Sequence, residues 1–405
     1  MKTTQKEKIM EIKVVAGTKL GHVPTKNELD RIGGLAAGVC YLPDTIDKLF
    51  DEAPEKTEKR KNMILASGHH SPFDHPTLVL QFDNIPKIVA MYLNNEKFYT
   101  TSEKSARYKR MPLLPDEQVK YDKWLEIYKE LIRDTYQAKY PERFTELKIT
   151  KLAQENSRYL TSVFTPTSML YECSYRQINV LYGMMTKEIE TLTKILDESG
   201  DVFIERLRAE LVLCKVELEK TGYVDGNLSD NRKDRDLSLF RRKNYPFLKQ
   251  FGEVYSISYL GSYAQLAQAH RHRTLSYQME LLDKPEFFVP PILKKDEGLV
   301  KEWLADCESL AEHFPQGLLV EIYEQGKFDD FVLKMKERNC ADAQLEIDNQ
   351  TTATKREMYE NLKETNPALA EELKPYMKGS RCTFPDYKCA TPCGFRDGVT
   401  GERLI

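Results

Sequence analysis

The stretch Ala269-His270-Arg271-His272-Arg273 sets two guanidinium groups and two imidazoles in five consecutive positions. Arginine presents a planar fork of donors and stays charged at every working pH, so this crowding asks for an anion. A second stretch, Ser102 to Arg110, carries Glu103, Ser105, Arg107 and Tyr108. If it is extended, alternate residues project together. A carboxylate, a hydroxyl and a guanidinium on one side could then hold a phosphorylated, hydroxylated ligand; a solvated charged loop is the competing reading. A third stretch, Gly68 to His75, gathers His69, His70, Ser71, Asp74 and His75. Its Pro-Phe pair breaks helical ligand spacing and no HExxH register is present, so contact with a polar cofactor or turn capping is expected there and no metal.

The elements that must carry these groups are legible in the hydrophobic pattern. Residues 77 to 83, TLVLQFD, alternate as a half-buried strand, and 84 to 97, NIPKIVAMYLNNEK, follow with a helical apolar period that starts at a Pro near its first turn. The same order recurs at 253 to 260, EVYSISYL, and 261 to 273, GSYAQLAQAHRHR, which points to an internal repeat. Long amphipathic helices follow, such as 116 to 137 with Trp124, Ile127, Tyr128, Leu131 and Ile132 on one face. The polar run 225 to 244 is the candidate junction.

Composition narrows the function. The chain has 405 residues, 41% hydrophobic, with 60 basic against 63 acidic side chains and a net charge of -3. No global field draws it to nucleic acid or membrane, so anion binding must be local. With no apolar run of transmembrane length and no signal-peptide core, a soluble cytoplasmic protein is expected, with no nucleic-acid or membrane partner. Of eight cysteines, five stand alone; Cys382, Cys389 and Cys393 cluster near the end without a paired CxxC or an evident fourth ligand, so no metal is assigned.

These stretches resemble the flavin-dependent thymidylate synthases, whose hallmark is Arg-His-Arg followed, after seven intervening residues, by the Ser of Ser-x-Arg-Tyr. Here the motif is divided. The first copy keeps Ser105-Ala106-Arg107-Tyr108 but has Asn95-Glu96-Lys97 in place of Arg-His-Arg. The second keeps Arg271-His272-Arg273 but has Leu281 and Asp283 for the later Ser and Arg. The segments HHSPFDH, 156 to 183 with Arg158 and Arg176, and 336 to 347 with Arg338 before Ala-Gln-x-Glu-Ile continue the likeness. The resemblance implies an α+β fold in two tandem repeats, each a mostly antiparallel sheet with long helices, over 1–224 and 225–375, with a Cys-containing tail over 376–405.

In the family each nucleotide site lies between chains of a homotetramer. One half-set survives here only in the second repeat, as Gln268, Arg271 and Arg338, where the first repeat has Tyr92, Asn95 and Met185. The other survives only in the first repeat, as Glu103, Ser105, Arg107 and Arg158, where the second has Met279, Leu281, Asp283 and Ala311. Such sorting implies one composite site and one dead counterpart, in a homodimer acting as a pseudo-tetramer. The resemblance assigns Arg271, Arg338 and Ser105 to catalysis and Gln268, Glu103, Arg107 and Arg158 to the substrate dUMP. His69, Ser71, Asp74, Arg176, His272 and Arg273 fall to FAD, with NADPH as reductant, methylenetetrahydrofolate as carbon donor and dTMP as product. A flavoenzyme placing another one-carbon group on a pyrimidine nucleotide, or a non-catalytic nucleotide or flavin binder, is the alternative.

Overall fold

The structure is a computed structural model that describes residues 21–41, 45–107, 109–229, 235–385, 387–390 and 403–405. Its contacts divide into two units, Met1–Pro76 and Thr77–Ile405.

The first unit contains α1 (Lys26–Ala36), α2 (Asp47–Phe50) and α3 (Pro54–Ala66). Thr25 caps α1 reciprocally: its hydroxyl accepts from Glu28 N, and Glu28 accepts from Thr25 N at 2.6 Å. The His-rich segment follows α3 and is anchored by Phe73, which is fully buried. A Cβ at Gly33 would lie 2.6 Å from the Phe73 ring, so this approach requires glycine.

The second unit runs β1 (Thr77–Pro86), α4 (Lys87–Asn95), β2 (Tyr99–Glu103), α5 (Pro115–Ile132), α6 (Glu146–Ser157), β3 (Pro166–Ser174), α7 (Tyr175–Ser199) and α8 (Val202–Lys220). It continues with β4 (Val254–Ser262), α9 (Tyr263–Ala269), β5 (Ser276–Leu281), α10 (Glu297–Glu308), β6 (Leu319–Lys327), α11 (Phe328–Arg338), α12 (Leu345–Thr365) and α13 (Pro367–Leu373). The class is α+β, with two small antiparallel sheets ordered β1-β3-β2 and β4-β6-β5. In each sheet the third strand lies in the middle, a helix joins the first two strands, and another helix leaves the third directly. Among the described residues no helix is long and apolar enough to cross a membrane.

Two boundaries are set by local backbone geometry. The register of β1 shifts between Phe82 and Ile85, where Asn84 adopts a positive φ of 57°, a conformation asparagine tolerates. The strand therefore continues to Pro86, and α4 opens at Lys87 and not at Asn84. At the matching place α9 ends at Ala269, so Arg271, His272 and Arg273 lie in the turn to β5, outside the helix.

The halves carrying the two sheets share an aromatic core. Trp124 of α5 and Trp303 of α10, both fully buried, meet edge to face at 4.9 Å between ring centroids. Trp124 Nε1 donates to Asp306 at 2.8 Å and Trp303 Nε1 to the Phe288 carbonyl at 2.8 Å, so neither indole N–H is stranded. The expected apolar face of α5 is found: Trp124, Tyr128 and Ile132 are buried, with Ile127 and Leu131 packed beside them. From the tail, Leu404 and Ile405 join this cluster, and the Leu404 N–H donates to the Tyr136 hydroxyl at 2.9 Å. Cys393 lies outside the described residues.

Candidate anion site

A cavity of about 270 Å³ opens in the second unit where the two sheet-bearing halves meet. Glu103, Ser105, Arg107 and Arg158 line it from the first half, and Gln268, Arg271 and Arg338 from the second. Glu103 ends β2, and Ser105 and Arg107 occupy the turn that follows. Arg158 begins the 3-10 turn after α6. Gln268 sits in α9, Arg271 just beyond it, and Arg338 in the last turn of α11, where a helix's negative end favours a cation. Tyr108 lies outside the described residues.

Six cations line the cavity, Lys87 and Lys104 joining the four arginines, against one carboxylate among the described lining residues, Glu103. Arg271 Nη2 and Lys87 Nζ each lie 2.7 Å from Glu103, on different oxygens. Burial alone would raise the Glu103 pKa; Lys87 and Arg271 outweigh it and hold the carboxyl below its ordinary value. Arg158 and Arg338 have their pKa lowered by burial, and guanidinium remains charged all the same. Arg158 Nη2 donates to Gln344 Oε1 at 2.5 Å, while its buried Nε has no protein partner, and neither does the buried Gln268 Oε1. Buried charge and unmet hydrogen-bonding groups both cost stability, and an anionic ligand bearing donors and acceptors would offset both.

Two residues of the Ala-Gln-x-Glu-Ile stretch explain how the halves keep register here. Gln344 bonds Arg158 and the Tyr159 hydroxyl. Glu346 accepts from Tyr159 at 2.9 Å and from both the N–H and the hydroxyl of Ser262, the N-cap of α9. The helix carrying Gln268 is thereby tied to the turn carrying Arg158.

Of the residues implied for flavin, His272 is buried and receives the Arg338 Nε–H on its Nε2 at 2.6 Å, with Nδ1 3.6 Å from Glu337. Burial, with Arg338 and Lys334 nearby, depresses its pKa to about 2, so the ring is neutral and carries its proton on Nδ1. Arg273 is exposed, its guanidinium 5.2 Å from the Tyr99 ring centroid. Arg176 is half-buried in the first turn of α7 and lies outside the cavity lining. His69, Ser71 and Asp74 are exposed on the first unit, while the neighbouring His70 and Phe73 are buried.

The counterpart positions are built differently. A second cavity of about 590 Å³ is walled by Phe203, Tyr263, Leu281, Leu282, Ala311, Phe314 and Leu318. Tyr92, Asn95 and Met279 are engaged by residues 238–242 of the polar run read as a junction: Phe240 packs 5.7 Å from the Tyr92 ring, Asn95 Nδ2 donates to Ser238 Oγ at 2.9 Å, and the Met279 N–H donates to the Leu239 carbonyl. Arg242 forks onto Glu188 at 2.7 Å on both oxygens, and Arg235 bonds Glu96 at 2.7 Å.

Sequence reasoning missed Lys87, Gln344 and Glu346 as site residues. The last two stood inside a quoted motif, and Lys87 was marked only by being charged at the head of an apolar helix.

Residues 24–191 match the family described as Thymidylate synthase complementing protein. This bears out the family likeness read from the sequence. The flavin-dependent thymidylate synthase of Clostridium tetani (strain Massachusetts / E88) is 23% identical over 165 residues, which are 37% of this chain and 66% of that protein, just under two thirds of its length. Arg271, His272, Arg273 and Arg338 lie beyond the matched family segment.

Proposed function

We propose that this protein is an FAD-dependent thymidylate synthase that binds dUMP in the charged cavity and converts it to dTMP with methylenetetrahydrofolate and NADPH. The observation that carries the reading is the convergence of Arg107, Arg158, Arg271 and Arg338, from both halves, on one cavity with a single lining carboxylate among the described residues. Arg107, Arg158 and Ser105 suit the phosphate, and Glu103 and Gln268 the hydroxyl and amide edges of a pyrimidine nucleoside. Arg271 and Arg338 would lie along the base and stabilise negative charge growing on its carbonyl oxygens, making C5 a better nucleophile. His272, neutral and bonded to Arg338, keeps that guanidinium oriented.

The exposed Arg273 beside Tyr99 offers a cationic and aromatic surface that suits a flavin's pyrophosphate and flat ring. His69, Ser71 and Asp74, all exposed, and the half-buried Arg176 are flavin contacts in this reading by the resemblance alone. FAD, when bound, supplies the hydride that no side chain can.

In the same reading 1–224 and 225–375 are diverged repeats, 376–405 is an appended tail, and the chain works as a cytoplasmic homodimer in place of a tetramer. The like order of the two sheets supports this. The decisive experiment incubates purified protein with dUMP, methylenetetrahydrofolate, NADPH and FAD and weighs the nucleotide product by mass spectrometry. Another one-carbon adduct at C5 would move the protein to a sister activity; no turnover and no flavin uptake would leave a binding protein.

A further inference from the structure

Lys87 belongs to none of the motifs that drew attention in the sequence, yet its side chain lines the charged cavity. It is the first residue of α4, and its side chain is 16% exposed. Two effects oppose a cation there. The positive end of the helix dipole disfavours it, and burial penalises the ammonium, lowering its pKa despite the attraction of Glu103. Nothing in the helix calls for a lysine at this position. What it does reach is Glu103, whose side chain is only 2% exposed and whose other oxygen is held by Arg271.

We propose that Lys87 is a specificity-determining residue of the nucleotide site, which with Arg271 clamps Glu103 as an acceptor-only carboxylate. The inference rests on the nucleotide reading above and deepens it. A carboxylate with a cation on each oxygen stays ionised and has only lone pairs left to offer. A ligand must therefore bring a donor to that side of the cavity, such as a sugar hydroxyl or a ring N–H, and a ligand presenting an acceptor is rejected. The groups around Glu103 are Lys87 from α4, Arg271 from the turn after α9 and Thr167 from β3, with Tyr99 on its own strand. Those around Lys87 are Glu103, Arg271, Arg158 and His270.

The test titrates dUMP into the full chain by calorimetry from about pH 8 down to about pH 3.5, so that the range crosses the ordinary carboxyl region below which Glu103 is held. Lys87→Met should weaken binding by about 10-fold near neutral pH and move the acid limb of affinity to higher pH, because Glu103 has lost one of its two cations. Lys87→Arg should keep the limb where the unaltered protein has it. Glu103→Gln should remove the limb that belongs to the carboxylate and leave only the fall near about pH 6 from the nucleotide's own phosphate, and adding Lys87→Met to it should cost little more, since both changes act through one contact. Should Lys87→Met fail to fold, the Lys87→Arg and Glu103→Gln profiles still carry the test. Unchanged affinity and pH profile in Lys87→Met, or a limb that moves in Lys87→Arg, overturns the role of Lys87 alone. Failure of the unaltered protein to bind dUMP overturns the nucleotide reading beneath it.

Discussion

The two cavities of the second unit differ in their linings. One is lined by six cations and Glu103; the other is walled mainly by Phe203, Leu281, Leu282, Phe314 and Leu318, with Asp201, Lys284, Glu312 and His313 of both signs among its lining. Where the resemblance aligns Arg158 with Ala311 and Ser105 with Leu281, the first cavity has the polar member and the second the apolar one. Nor is the other side of the counterpart left open: Phe240 packs on Tyr92, Ser238 bonds Asn95, and Arg242 meets the Glu188 carboxylate. The difference teaches that charge in this fold is not a requirement of the scaffold. Sheets of like order leave a cavity in either place, and the gathering of six cations is particular to the first, which is what the nucleotide reading proposed above draws on.

The largest effect is expected where the halves are joined. Trp303→Ala removes a fully buried ring from the α5–α10 contact and should cost about 3 to 5 kcal/mol in urea denaturation followed by circular dichroism; a loss under about 1 kcal/mol would mean the halves hold together by other means. Acid comes next and should act on the charged side. His270 is fully buried with no partner on either nitrogen, and burial, Lys87 and Arg271 keep its pKa well below the ordinary value; His272 is depressed to about 2. Above about pH 6.5 these rings are neutral in both states and cost nothing; as pH falls further the unfolded chain takes up protons that the folded one cannot. Each histidine should then remove roughly 2 kcal/mol of stability by about pH 5, and a denaturation midpoint that holds steady over that range would contradict their burial.

Third in size are the arginines. Arg158→Ala or Arg271→Ala should each weaken dUMP binding about 10- to 150-fold, the loss of one charge-assisted bond of about 1.5 to 3 kcal/mol. The smallest effect sharpens the contrast from the other side: Asn95→Ala, at the aligned place in the first half, should leave dUMP affinity within about two-fold. Should saturation require two nucleotides per chain, or Asn95→Ala prove as damaging as Arg271→Ala, the two cavities are alike in function and the comparison falls.

Much of this was legible before any coordinates. Alternation at 77–83 marked β1, because half-buried strands must alternate; recurrence of the same strand–helix order at 253–273 marked β4, and the face of α5 followed from its helical period. The Pro in 84 to 97 marked the start of α4, whose N-cap is Pro86, while the bulge at Asn84 that prolongs β1 leaves no hydrophobic signature. Glu103 and Arg107 stood out in their own stretch and Arg158 was named from the resemblance; that they share one cavity with Gln268, Arg271 and Arg338 depends on contacts between residues more than 150 positions apart, such as Glu103 with Arg271 and Arg158 with Gln344. Lys87 escaped notice for the same reason: its partner is sixteen residues away across a helix and a strand. The polar run 225 to 244 read as a junction because its charges follow no period, and over 235–242 those charges turn out to be spent on Glu96 and Glu188.

The chain contains two tryptophans, and Trp124 and Trp303 are both of them. Excited selectively, the intrinsic fluorescence of the whole protein therefore comes from one contact, the seam along which the two halves meet. Separation of the halves should shift that emission to the red, so the protein carries its own single-site reporter of the joint that frames the charged cavity.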